Sequence, residues 1–221
     1  MGDEEFLHSF QFLEQNLLLL PQKALYWKDN EILVISDLHL GKANHFRKAG
    51  IPIPLQVHNE DYLRLEALVD HYKPKEIIFL GDLFHSVWNT EWKFFENWCN
   101  KNNKIKLHLV AGNHDILPDS LYEACNLMVH KTALCYPPFN FTHAPLEDFS
   151  FTETFYNISG HIHPGVRLSG AGRQKLVLPC FYFNPKQAIL PAFGNFTGCT
   201  TLRTTKEDKV FIVTKERVIL L

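Results

Sequence analysis

Apolar positions in this chain fall into brief runs that end on glycine or polar residues. Ile32-Leu33-Val34-Ile35, Ile77-Ile78-Phe79-Leu80 and the segment Ile105 to Val110 are the clearest. Runs of that length, rich in β-branched residues, read as buried strands. Ahead of the first, Ala24 to Ile35 reads as two short strands around a Lys28-Asp29-Asn30 turn. Between the runs the period changes. Leu55, Tyr62, Leu65, Leu68 and Val69 recur at three- and four-residue spacing and Pro74 follows as a stop, which predicts a helix from about Pro54 to Tyr72. Aromatic residues at helical spacing predict a second helix from the cap Thr90 to Asn100, and a short one covers Pro118 to Cys125. Two β-α-β steps imply parallel neighbours, with their exit loops gathered on one edge.

Beyond Cys125 the pattern turns β-rich. Strands are expected at Leu127 to Val129, Phe139 to Thr142, Tyr156 to Ser159, Lys175 to Leu178, Gln187 to Leu190, Gly198 to Leu202 and Lys209 to Val213, mainly antiparallel. Ser169-Gly170-Ala171-Gly172 reads as a loop. No linker, repeat or low-complexity segment divides the chain. The expected class is α/β, with two sheets packed face to face and helices outside, as one domain over residues 1–221.

Composition adds limits. A chain of 221 residues, 46% of them hydrophobic, can bury one substantial core. The formal net charge of -2 excludes a generally basic nucleic-acid binder, so any phosphate affinity is local. Cys99, Cys125, Cys135, Cys180 and Cys199 are odd in number and form no C-x-x-C pair, which suits reduced thiols in the cytoplasm. The acidic start Met-Gly-Asp-Glu-Glu is unlike a secretory signal, and the apolar run Leu17 to Leu20 is far too short to span a membrane. A soluble, cytoplasmic protein is expected.

The chemistry sits where the runs end. In order come Asp37 and His39, then Gly81-Asp82, Gly112-Asn113-His114-Asp115, a lone His143, and Gly160-His161-Ile162-His163. A single histidine is more often structural than a ligand, and His8, His58, His71, His108 and His130 are read that way. The joint order at strand exits reverses that reading and points to a hydrolytic site with two metal ions. Cations about 3.5–4 Å apart need an anionic bridge, and Asp82 is the candidate. Asp37 and His39 alternate along extended chain, so both side chains can face one ion, and His161 and His163 repeat the spacing. Asn113 supplies a neutral oxygen and His143 another imidazole. This mixture of oxygen and nitrogen suits manganese, iron or zinc better than calcium or magnesium.

These blocks, spread over Ile32 to Pro164, resemble the calcineurin-like metallophosphoesterases. The resemblance implies a four-layer αββα sandwich. It also implies one ion on Asp37, His39, His163 and Asp82, and another on Asp82, Asn113, His143 and His161. Many relatives carry an acidic residue where this chain has His85, which leaves the role of that position open. In such a site a metal-bridging hydroxide attacks phosphorus, while His114 protonates the departing oxygen and Asp115 orients it. Lys42, His45 and Arg47, in a basic segment just after the first block, are the candidate phosphate contacts, with Arg167, Arg173 and Lys175 as weaker ones.

A narrower resemblance lies between the blocks, in His39 to Pro54, Gly81 to Ser86 and Leu190 to Gly198. These segments are similar to the ligase-associated DNA damage response endonuclease family, PdeM. That likeness implies a manganese-dependent phosphodiesterase or endonuclease acting on DNA, single-stranded above all. It further implies bacterial DNA repair beside a DNA ligase and a DExH helicase. Phe46, Phe181, Tyr182 and Phe183 could stack on bases, although alternating aromatics are more often core. A small-molecule phosphodiesterase or phosphomonoesterase is the alternative, and a non-catalytic interaction scaffold a more remote one.

Overall fold

The computed structural model describes residues 7–42, 57–84, 91–149, 154–170, 175–195 and 197–221. Two β-sheets share a core. The first runs in the order β1 (His8–Phe12), β2 (Gln15–Leu19), β3 (Leu25–Trp27), β4 (Ile32–Ser36), β5 (Glu76–Leu80), β6 (Lys106–Val110) and β7 (Leu127–His130). Strands β1 to β4 form an antiparallel meander, whereas β4 to β7 are parallel. Parallel neighbours need long crossovers. Helices α1 (Val57–Tyr72), α2 (Glu91–Lys101) and α3 (Asp119–Ala124) lie in those connections.

The pleat decides the layering. In β4, Leu33 and Ile35 join Leu65, Leu68, Phe95 and Trp98 of the helices in one core. Ile32 and Val34 face the other way and meet Phe139, Phe141, Ile158 and Phe181 of the second sheet. β5 repeats the division, with Ile77 and Phe79 on the helix side and Ile78 and Leu80 on the sheet side. A strand buried on both faces has no polar face to show, hence the unbroken apolar runs. Phe139, Phe141, Phe181 and Phe211 are fully buried between the sheets, each contributing roughly 1.5–3 kcal/mol of transfer free energy.

The second sheet runs β8 (Ala133–Tyr136), β9 (Phe139–Thr142), β10 (Tyr156–Ser159), β13 (Gln187–Ile189), β12 (Lys175–Phe183), β11 (Pro164–Ser169) and β14 (Thr200–Thr201), with β15 (Lys209–Val213) and β16 (Val218–Leu220) branching from β12. Most of its pairings are antiparallel, yet the sheet is mixed, because β9, β10 and β13 pair in parallel and β14 is parallel to β11. Strand direction depends on where a connection runs, and period-2 patterning does not encode that. Arg167 and Lys175 lie on the antiparallel strands β11 and β12. Arg173 lies outside the described residues.

The α/β class with two mixed sheets and few helices holds. All three described helices pack in the core with the first sheet. The other face of β9 and β10 carries buried amides, and Asn140 Nδ2 donates to Asn157 Oδ1 at 2.9 Å. No described helix is long and apolar enough to cross a membrane.

Candidate metal centre

Strands β4, β5 and β6 are paired so that Ser36, Leu80 and Val110 stand side by side at their ends. Asp37, Asp82 and Asn113 therefore leave the sheet together, as ligand-binding groups do at the carboxyl edge of parallel strands. From the second sheet, β9 leads to His143 and β10 to His161. Gly160 N–H donates to the His143 carbonyl at 2.8 Å and keeps those two exits adjacent.

The side chains fall into two donor groups. Asp37, His39 and His163 form one and Asp82, His143 and His161 the other, with potential ligand atoms of each within 4.8 Å of one another. Asp82 faces both groups. Its Oδ2 lies 3.8 Å from His39 Nε2, and its Oδ1 lies 3.6 Å from His143 Nε2. Asn113 Oδ1 and His161 Nδ1 complete the second group at 3.1 and 3.0 Å from His143 Nε2.

Backbone oxygens aim the imidazoles. His143 Nδ1 is 3.0 Å from the Leu80 carbonyl and His163 Nδ1 is 3.2 Å from that of Thr197. Each carbonyl takes an Nδ1 proton, which leaves an Nε2 lone pair turned toward the donor groups. Asp37 Oδ2 accepts from the Ser36 hydroxyl and from His161 N–H, the latter at 2.9 Å. Asp37 Oδ1 is buried with no hydrogen-bond partner among the described residues and stands 3.3 Å from His163 Nε2. A buried carboxylate oxygen without a donor is unfavourable, and a cation would satisfy it. Burial pushes the Asp37 carboxyl up, but the nearby His163 and His143 imidazoles and the Ser36 hydroxyl outweigh it and hold its pKa below the usual value. The donor set therefore fits divalent cations that accept both carboxylate and imidazole.

The backbone is strained at the same places. Of the eleven non-glycine residues with positive φ among the described residues, five are Asp37, His39, Asp82, His161 and His163, with φ between 47° and 68°. Such conformations persist only where surrounding structure over-determines them, and they gather at functional sites. Gly81, at φ 70°, has no room for a side chain, since a methyl there would strike the His143 ring. A methyl on Gly160 would strike Ser36 and the Asp37 carboxylate.

The family model for calcineurin-like phosphoesterases matches residues 31–190, the stretch that contains every one of these side chains. The chain belongs to that family. It is a hydrolase of phosphoester bonds, and the family works with divalent metal ions. No curated protein matches the chain by sequence. Among solved structures, nuclease MPE of Pseudomonas putida is 26% identical, with 97% of this chain and 100% of that one covered at a TM-score of 0.81. The E. coli phosphoesterase Yfce is 13% identical over 85% of this chain and 96% of that one, and its TM-score of 0.43 is too low to carry argument.

Around this phosphoesterase centre, His114 N–H donates to Asp82 Oδ1 at 3.0 Å, and its ring lies 5.6 Å from that of His39. Asp115 accepts from Leu83 N–H at 2.9 Å and from Gly112 N–H at 2.8 Å, tying the loops after β5 and β6 together. Burial pushes its carboxyl up to about 6, helped by the charge of Asp82 and opposed by those N–H donors. Lys42 is half-buried. Burial lowers its pKa while the Asp37 and Asp82 carboxylates act in the other direction, so its amine senses both. His45, Arg47, Phe46 and His85 lie outside the described residues. Sequence reasoning passed over Ser36, although a hydroxyl next to Asp37 was legible. It had no signal for the carbonyls of Leu80 and Thr197, because a main-chain oxygen leaves no mark on residue type.

Proposed function

We propose that this phosphoesterase is a dinuclear, metal-dependent phosphodiesterase that cuts DNA as an endonuclease. One cation is held by Asp37, His39, His163 and Asp82, the other by Asp82, Asn113, His143 and His161. The observation that carries this reading is the placement of Asp82, one carboxylate oxygen toward each donor group. Bound cations supply Lewis acidity toward the phosphoryl oxygens and lower the pKa of water.

The chain's own groups do the rest. His114, fixed through its N–H to Asp82, gives a proton to the departing oxygen. Asp115 holds the loop that carries His114. Lys42, with His45 and Arg47 of the following segment, holds the phosphate of the substrate.

Nucleic acid as substrate is supported by the likeness to the Pseudomonas putida nuclease over 97% of this chain and 100% of that one. Single-stranded DNA, manganese, and a repair role beside a DNA ligase and a DExH helicase rest on the resemblance to the ligase-associated endonucleases. One domain spans residues 1–221. The free thiols of all five cysteines support a cytoplasmic setting.

The test is a manganese-supplemented assay on a labelled single-stranded oligonucleotide, a duplex and bis-p-nitrophenyl phosphate. Internal cuts in the oligonucleotide are expected. Cleavage of the aryl diester with both DNA substrates left intact would replace DNA by a small phosphodiester.

A further inference from the structure

We infer that the Asp61–Arg64 pair of α1 is a positioning element for one half of the metal centre, acting through the segment that follows β13. This rests on the two-metal reading above. Arg64 donates through Nη2 to Asp61 Oδ1 at 2.7 Å and to the Phe193 carbonyl, and its guanidinium lies 4.1 Å from the centre of the Phe193 ring. Asp61 in turn accepts from Asn195 N–H, with its two oxygens at 3.3 and 3.2 Å. The ion pair thus grips the segment on its outer side, where Lys23 Nζ also donates to the Phe193 carbonyl at 3.4 Å and Asn195 Nδ2 to Glu60 Oε2 at 3.3 Å.

On its inner side the same segment holds the metal donors. Phe193 N–H donates to the Ser36 carbonyl at 2.8 Å and Gly194 N–H to the Asp37 carbonyl at 3.1 Å. The Thr197 carbonyl accepts the His163 Nδ1 proton, and the Thr197 hydroxyl closes back on the Gly194 carbonyl at 3.2 Å. A methyl on Gly194 would strike the Leu38 carbonyl, so the segment lies directly against the Asp37 turn. These bonds end on Asp37 and His163, two members of one donor group, both held at positive φ. Left-handed backbone at two non-glycine residues needs support from outside.

The side chains of Arg64 and Asp61 are only 21% and 18% exposed. A pair so far removed from water is a poor source of stability compared with apolar packing. What a forked guanidinium and a carboxylate add is direction, since they fix where a carbonyl and an N–H point. Here the groups fixed belong to the segment that aims Asp37 and His163.

The experiment is manganese titration by calorimetry on the full chain in two backgrounds. His143→Ala keeps the donor group of Asp37, and His163→Ala keeps that of His143's neighbours Asp82 and His161. Adding Arg64→Ala is expected to weaken binding about 10- to 100-fold in the His143→Ala protein and to change it less than about twofold in the His163→Ala protein, the range for a lost supporting contact. Asp61→Asn is expected to act in the same direction with a smaller loss. Metal-free thermal melts accompany each variant, and where Arg64→Ala does not fold, Asp61→Asn carries the comparison. Unchanged affinity in the His143→Ala background, or equal weakening in both, overturns the inference. Wild-type protein that takes up no manganese overturns the metal reading, and the inference with it.

Discussion

Tyr136 donates its hydroxyl proton to Glu76 Oε2 at 2.7 Å and so joins β8 of the second sheet to β5 of the first. The same oxygen lies 3.0 Å from His108 Nε2, and His108 Nδ1 lies 3.0 Å from His130 Nε2. Burial lowers the pKa of both histidines. Burial pushes Glu76 up, but its bonds to Tyr136, Lys106 and His108 outweigh that and hold it below its usual value.

The signs agree. Below about pH 6.5 the unfolded chain takes up histidine protons that the folded cluster refuses, so stability falls with pH. Glu76 extends the loss below the ordinary glutamate value, since its contribution exists only while it is ionised. Urea unfolding across this range is expected to show falling stability toward acid, with a shallower slope in His130→Gln. Tyr136→Phe should cost about 1.5 kcal/mol near neutral pH.

Asp82→Asn keeps the shape of the bridge and removes its charge. Diester cleavage is expected to fall by more than about 100-fold, beyond the effect of losing a supporting contact. Chelation should likewise abolish activity in the wild type and added manganese restore it, both measured on the oligonucleotide. Unchanged turnover in Asp82→Asn would remove the proposed mechanism.

His114→Ala separates leaving groups. An alkoxide needs a proton as it departs and an aryl oxide needs one far less, so oligonucleotide cleavage should drop about 10²- to 10⁴-fold while bis-p-nitrophenyl phosphate turnover falls much less. Equal losses on both substrates would assign His114 to binding.

Gly160→Ala tests the close approach of the two sheets. The new methyl meets Ser36 and the Asp37 carboxylate, so about 1–3 kcal/mol of stability should be lost to overpacking. Manganese affinity should fall with it, because Asp37 must move. Thermal melts and titration on one preparation check both.

Part of this was legible in the order of residue types. The runs Ile32 to Ile35, Ile77 to Leu80 and Ile105 to Val110 match β4, β5 and β6, and the helical spacing up to Tyr72 matches the end of α1. Strands and helices of this kind are set by local periodicity, which a single sequence carries. The hairpin of β1 and β2 was not legible, because Phe10, Leu17 and Leu19 are buried by partners from the distant second sheet. Nor was the parallel pairing of β10 with β9 and β13.

For the candidate site, the sequence by itself determined which side chains leave the strand ends: Asp37, His39, Asp82, Asn113, His143, His161 and His163. How they divide was implied only by the family resemblance, not by residue type or spacing, and tertiary structure sets His163 beside Asp37 and His161 beside His143. It also decided that the Thr197 carbonyl and the Arg64 guanidinium stand behind that division. The reason is physical. Residue type and spacing fix what chemistry a position can offer, but contacts between segments more than a hundred residues apart exist only once two sheets have closed on a common core.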